Sequence, residues 1–442
     1  MNKKGFSRII RTSLGISVIL ALATVGIALA DIISVDTFTD GFQSMQVDQS
    51  NPSDTDYTSG SMIGGERDAQ LIWSSGTGGA VNLYIDSGDS NFLSFAQASG
   101  YRSTATLQWD GSDSSMTLNT TGLSNTDLTD SGANDSFRIR IIDNDNPVGI
   151  TMRVYTDASN WSTRTQNTRG DIDTGQIVDM IFPFSSFTTG GGTGADFADV
   201  GAIEMMLDGV TVSLAGADVS FNLFEATPNR EYGDLPSSYG SSITDAYHVP
   251  LGIRLGENVD TESAPQSNAY ANGDDLDGAS DEDGVTRNTA TYWTNNASVD
   301  LFVEANGCAS NCRLNGWIDW NGDSDFVDTG EQIFNEITIN NGSDITRTIT
   351  VPDSSVYTVG DNVYARFRIC QSTGQCNSPT ITNVTNGEVE DYRWDFGPTA
   401  LNIENLSVRI QSSTNWPLLF GISIILLIVT IYVLVKSRQV AR

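Results

Sequence analysis

Five carboxylates and one amide crowd the stretch "WIDWNGDSDFVDTGEQ": Asp319, Asn321, Asp323, Asp325, Asp328 and Glu331. Most stand two apart, a spacing that lets a tight loop turn several hard oxygen ligands toward one cation, and Ca²⁺ is the ion that takes such ligands in number. The competing account is a solvated turn, where Asp and Asn cap backbone groups. A second run, "NGDDLDGASDEDG", carries Asp274, Asp275, Asp277, Asp281 and Asp283 with no basic residue among them. Repulsion within it asks for either a bound cation or a loop that stays solvated.

The first run resembles an EF-hand loop at its start. It departs at the sixth position, where Ser324 replaces the invariant Gly, and at the end, where Glu331 arrives one residue late. The sequence therefore predicts a Ca²⁺ loop between strands, and excludes a helix-loop-helix.

A third group of acids lies in "NGEVEDYRWDF": Glu388, Glu390 and Asp391. If this is a strand, Glu388 and Glu390 share a face with Tyr392, Trp394 and Phe396, and the aromatic face is the one to bury. A carboxylate beside a core is costly without a partner. Arg366 and Arg368 in "YARFRIC" are the candidate partners, so these acids are expected to close the fold through Arg pairing, with a share in a Ca²⁺ site as the second reading.

Catalysis is the weaker account of the same residues. A pair of carboxylates can hydrolyse glycosides when set about 5 to 9.5 Å apart across a cleft, yet acids are so abundant here that pairs arise by chance. His248 is the single histidine and has no nucleophile motif around it, which argues against Ser-His-Asp chemistry and against catalytic zinc. The run "GGGTG" (Gly190 to Gly194) lacks the lysine of a phosphate loop. Trp73, Trp109 and Trp161 could stack on sugar rings, although tryptophan in a sandwich belongs more often to the core. The chain is expected not to be an enzyme.

The elements that must carry these residues read as strands. From Asp31 to about Thr227 two-residue alternation dominates, as in "FRIRIIDND", broken by Gly, Ser, Asn and Asp. In "SFRIRII" the residues Phe137, Ile139 and Ile141 form a core face, and Arg138 and Arg140 a wet face. The Pro, Gly and Ser of "EATPNREYGDLPSSYGS" mark a boundary, and a second β-rich module follows with "SVDLFVEA", "RLNGWIDW" and "NVYARFRIC". The fold class is all-β: two jelly-roll-like β-sandwiches in tandem, over 31–228 and 229–397.

Both ends of the chain read as targeting segments. Residues 1–30 have a basic start, an apolar run and Ala28-Leu29-Ala30, the order of a secretory signal peptide. Residues 416–435 carry no charge over a length that spans roughly 30 Å of hydrocarbon as a helix, and Lys436, Arg438 and Arg442 follow as a basic stop. With a stalk at 398–415 and a cytoplasmic tail at 436–442, the expected product is exported and anchored at the cell surface by one helix, its N-terminus outside. The same order resembles a processed sorting tail, but without a sorting motif before Trp416.

Between these ends 55 acidic residues face 16 arginines and no lysine. That charge excludes nucleic acid as a natural partner and favours divalent cations. The cysteines, Cys308 with Cys312 and Cys370 with Cys376, lack the spacing of zinc knuckles, so in an exported chain two disulfides are expected, local pairing ahead of cross-pairing.

The second module resembles the GEVED domain of bacterial surface and secreted proteins, named after the residues that stand here as Gly387 to Asp391. The resemblance also rests on "EYGDLPSSYG", "NGDDLDGASDEDGV", "WIDWNGDSDF", "GEQIF" and "YARFRI", in that order. It implies an extracellular β-sandwich-like module and no defined activity. The first module resembles secreted jelly-roll modules through "GGERDAQL" and "LQWDG". Together these point to a membrane-anchored structural or adhesive protein with calcium-stabilised loops, displaying its sandwiches to glycan or protein partners. The alternative is a carbohydrate-binding or glycoside-processing protein.

Overall fold

The computed structural model describes residues 32–395, apart from 77–78, 87–90, 171, 173–176, 210–215, 274–279, 291–292, 309 and 354–361. The expected signal peptide, stalk, membrane helix and tail lie outside the described residues, as do Asp274, Asp275, Asp277 and Phe396. Among the described residues no helix is long and apolar enough to cross a membrane.

The alternating segments do form strands, and two seven-stranded antiparallel sheets make the first sandwich. One runs in the order Val178–Pro183, Ser136–Asn144, Ala217–Thr227, Phe92–Gln97, Val81–Asp86, Gln43–Val47, with Ile33–Asp36 sharing an edge of Ala217–Thr227. The other runs Thr188–Gly191, Trp161–Asn167, Gly149–Tyr155, Ala202–Asp208, Arg102–Trp109, Glu66–Ser75, Ser53–Ser59. Alternate residues such as Ile150, Met152 and Val154 point inward and are fully buried. Phe137 anchors the core, with the rings of Phe184, Phe187, Phe197 and Phe224 within 6.2 Å. Each buried phenylalanine contributes about 1.5–3 kcal/mol through the apolar area withdrawn from water.

The second sandwich has its own core, from Ile253 to Trp394. One of its two four-stranded sheets orders Gln332–Ile339, Cys312–Asp319, Asn362–Cys370 and Gly387–Asp395. Facing it, Ser298–Asn306 is flanked by Gly342–Thr350 on one edge and by Arg254–Leu255 and Val285–Arg287 on the other. A small sheet of Glu231–Tyr232, Tyr247–Val249 and Val384–Thr385 completes the module. The cysteines pair locally, Cys308 with Cys312 and Cys370 with Cys376.

The two sandwiches belong to one compact unit. Here the expected wet face of "SFRIRII" is corrected, because the segment around Thr261 crosses back over it. Arg138 donates to Thr261 O at 2.7 Å and pairs with Glu225, while Arg140 grips Asp179 with two bonds of 2.9 Å. The alternation put these arginines off the core correctly, but a strand's outer face is wet only if nothing else packs on it.

Candidate metal centre

In the "WIDW" strand, Cys312–Asp319, alternation puts Leu314 and Ile318 into the sandwich core and Trp317 and Asp319 on the opposite face. That face is covered by a smaller cluster of Leu235, Tyr239, Ile243 and Phe326, so Asp319 ends buried. Its carboxylate accepts the Tyr239 hydroxyl at 2.6 Å and the N–H groups of Gly322 at 2.7 Å and Ser324 at 3.0 Å. Ser324 adopts φ 72°, the left-handed conformation for which an EF-hand uses glycine, so the replacement costs strain without preventing the turn.

One carboxylate oxygen from each of Asp319, Asp323 and Glu331 lies within 4.8 Å of the other two. Glu331 is completely buried; Oε2 accepts Asp328 N–H at 3.1 Å, and Oε1 has no hydrogen-bond partner. Burial, helped by the charges of Asp319, Asp328 and Asp323, pushes its carboxyl up to about 7, and burial also raises Asp319. Asn321 bridges Asp323 and Asp328 through its amide at 2.9 and 2.6 Å. Asp325 departs from the expected ligand set: it accepts Val327 N–H at 3.0 Å in its own turn and stands outside the carboxylate trio. Three oxygen donors of this kind suit a hard divalent cation and offer no nitrogen or sulfur to zinc.

The second acidic run is arranged differently. Of its described members, Asp281 accepts Asp260 N–H at 3.3 Å, and Asp283 accepts Glu257 N–H and the Asn258 amide, both at 2.9 Å. Burial lifts Asp283 to about 6. These two carboxylates tie down the segment that crosses to the first sandwich, and neither joins a carboxylate cluster among the described residues.

The "GEVED" strand assigns each of its residues a distinct task. Gly387 lies so close to Ile369 O and His248 that a Cβ would meet them at 2.1 and 2.6 Å. Glu388 and Glu390 face the sandwich core beside Tyr392 and Trp394, as parity predicts. Their expected pairing with Arg366 and Arg368 is corrected, because the arginines project from the other side of the sheet. Glu388 accepts Leu255 N–H, and Glu390 accepts Gly284 N–H at 2.7 Å and the Tyr392 hydroxyl at 3.1 Å. Burial holds both carboxyls well above their ordinary range, reinforced at Glu388 by Glu390 and at Glu390 by Asp283. They act as pegs between the module's two sheets.

Asp391, on the outer side, chelates Arg366 at 2.8 and 2.7 Å and accepts Leu235 N–H at 3.1 Å. Arg368 donates to His248 Nε2 at 2.9 Å and to Ser378 O at 2.8 Å. His248 is fully buried, and burial with the neighbouring arginines holds its imidazole well below its ordinary value. Sequence reasoning missed the lid over this layer. Glu231 accepts Val389 N–H at 2.9 Å, Tyr239 holds Asp319, and a Cβ on Gly233 would strike Asp391 Oδ2 at 2.1 Å. All three lie in "EYGDLPSSYG", and co-occurrence of that motif with the acidic ones was the available signal.

The tryptophans divide. Trp109 is fully buried and donates to Asp36 Oδ2 at 3.0 Å, Trp73 packs partly on the core, and Trp161 is half-buried and stacked on Tyr155, ring centres 5.8 Å apart.

Residues 313–395 match the family described as the GEVED domain, and the chain carries a GEVED domain there. No curated protein matches the chain. Among solved structures, a family 11 carbohydrate-binding module from Clostridium thermocellum, in complex with a mixed-linked tetrasaccharide, is 10% identical over 45% of this chain and 95% of its own, with TM-score 0.23. A β-1,2-glucanase from Parabacteroides distasonis is 10% identical over 83% of this chain and 39% of its own, with TM-score 0.22. Likenesses this distant carry no argument about what the chain does.

Proposed function

We propose that this chain is a non-enzymatic, exported surface protein in which calcium clamps the GEVED domain, and that it displays two rigid, acidic sandwiches to glycan or protein partners at the membrane that anchors it. The observation that carries the calcium reading is Glu331, a fully buried carboxylate with one oxygen unpartnered, set within 4.8 Å of Asp319 and Asp323. A buried, uncompensated charge costs several kcal/mol, and a cation ligated by all three acids would remove that cost. Asp319 would hold the ion on the strand end that Tyr239 fixes, Glu331 from the far side of the loop, and Asp323 from solvent. His248 and the two buried glutamates are engaged in structural bonds, which supports a non-catalytic role.

A second reading, sugar binding, is favoured by one observation. Tyr155 and Trp161 stack on the outer face of a first-sandwich sheet, beside the Arg153–Glu204 pair at 2.6 Å. Aromatic faces and a charged hydrogen-bonding pair are the groups a glycan platform needs.

The test is thermal unfolding of the chain with and without Ca²⁺ at constant ionic strength, beside Asp319→Ala/Asp323→Ala. Calcium at one hundred times its dissociation constant is expected to add about 2.7 kcal/mol to the native state and raise the midpoint, and the variant is expected to lose that rise. Equal midpoints in the wild-type chain with and without calcium would return these acids to solvated turns. Binding of soluble glycans that Trp161→Ala abolishes would promote the second reading.

A further inference from the structure

A second group of acids, absorbed by none of the roles above, lies in the first sandwich. Glu66 and Asp68 are two apart on Glu66–Ser75, hence on one face. Asp68 stands opposite Gln108, so the end of the strand Arg102–Trp109 brings Asp110 and then Asp113 alongside. The carboxylates of Glu66, Asp68 and Asp113 offer oxygens all within 4.8 Å of one another.

Asp68 is completely buried, and neither of its carboxylate oxygens accepts from an N–H or hydroxyl; only a proton shared with the Asp110 carboxyl would give it a hydrogen bond. Asp110 is equally buried; Oδ2 accepts Asn119 N–H at 2.6 Å, and Oδ1 is unpartnered. Glu66 is spent on Ser114, bonding its N–H and hydroxyl. Arg67, between the two acids in sequence, points to the opposite side and pairs with Asp36 at 2.7 Å. The charges acting on Asp68 are those of Asp110, Glu66 and Asp113, and burial with these neighbours pushes its carboxyl up to about 8. The loop over the site is held close, since a Cβ on Gly122 would fall 1.6 Å from Asp110 O and one on Gly64 would fall 3.1 Å from Gly111 N.

We infer that Glu66, Asp68, Asp110 and Asp113 form a second divalent-cation site, of the calcium class, that closes the loop after Arg102–Trp109 onto the first sandwich. Buried unpartnered oxygens aimed into an all-carboxylate cluster are what a hard cation satisfies, and the donor set has no nitrogen or sulfur for a softer metal. The competing arrangement is a proton shared between Asp68 and Asp110.

The experiment is equilibrium dialysis of the full chain against Ca²⁺ at neutral pH, with bound metal counted, for wild type, Asp68→Asn/Asp110→Asn, Glu331→Gln and their combination. The inference expects the Asp68/Asp110 variant to lose one Ca²⁺ per chain in both the wild-type and Glu331→Gln backgrounds. Because the second background disables the GEVED-domain site, failure of one site is distinguishable from failure of the other. The exposed Asp113→Asn keeps the test decisive should the buried variant fold poorly: it is expected to weaken this calcium by about tenfold or more, while the calcium-free chain stays folded with a melting midpoint no lower than that of wild type, since a charge that repels Asp68 has been removed. Unaltered calcium stoichiometry and affinity in both Asp68/Asp110 and Asp113 variants would overturn the inference. So would a protonated-carboxyl infrared band that persists in saturating calcium and vanishes in Asp68→Asn.

Discussion

At the scale of single residues, the interior of this protein is shaped by where carboxylates and one imidazole find hydrogen bonds. His248 accepts from Arg368, so its proton sits on Nδ1 and the ring must stay neutral in the fold. Its value is depressed in the folded state and ordinary, near about 6.5, when unfolded. A depressed value means stability is present above that pH and lost below it, because unfolding then takes up a proton. Urea titrations at several pH values from about 7 down to 5 are expected to lose up to about 1.4 kcal/mol per pH unit from this group, a slope that His248→Asn removes. An unchanged slope in the variant would assign it to other groups. Glu331 has the opposite sign. Raised to about 7 from an ordinary 4.5, it contributes stability at low pH that is lost as pH rises through that window. Glu331→Gln is therefore expected to stabilise the calcium-free chain at pH 8 while abolishing the calcium-dependent rise, both read by melting. A calcium response retained in that variant would remove Glu331 from the ligand set.

At the scale of elements, the strand Gly387–Asp395 is held from both sides. Its core face pegs Leu255 and Gly284 through Glu388 and Glu390, and its outer face carries the Arg366–Asp391 pair, both side chains fully buried. Removing one member leaves the other charged and sealed, so Asp391→Asn or Arg366→Met is expected to cost about 3–5 kcal/mol. The double variant Arg366→Met/Asp391→Leu is expected to recover a large part of that loss, and denaturant midpoints across the four proteins measure the coupling. Additive losses would mean that Leu235 and the lid, rather than the pair, carry the energy. The alternation of these strands was legible from the sequence, and so was the burial of the glutamates. The partner of each acid was not, because parity says which face a side chain takes and nothing about what the next layer brings to it.

At the scale of the whole molecule, the sandwiches meet through charge. Arg138, Arg140, Asp179 and Glu225 form a largely buried network under the segment around Thr261, and Arg169 pairs with Glu257 at 2.9 Å nearby. Asp179→Ala would remove the acid that both arginines share and leave Arg138 and Arg140 facing each other with Glu225 and the buried Asp260 as the remaining acids beside them. Calorimetry is expected to turn one cooperative transition into two as the modules uncouple. A single transition in the variant would place the coupling elsewhere in the interface.

The all-β class, the GEVED domain and which strand residues face inward were legible in the sequence, because each follows from short-range spacing or from motifs read along the chain; two disulfides were expected as well, with local pairing preferred over cross-pairing, and the fold closes Cys308–Cys312 and Cys370–Cys376. The sequence also marked the Asp319 run as the place to seek a cation. It took the packed fold to set Asp325 aside, to bury Glu331 with an oxygen unpartnered, and to give Arg366 to Asp391 rather than Glu390. Glu66, Asp68, Asp110 and Asp113 looked like ordinary strand and turn acids until the register of neighbouring strands brought them together. A carboxylate's chemistry depends on how completely water is excluded from it and on which charges share its enclosure, and in a β-sandwich both are set by segments distant in sequence.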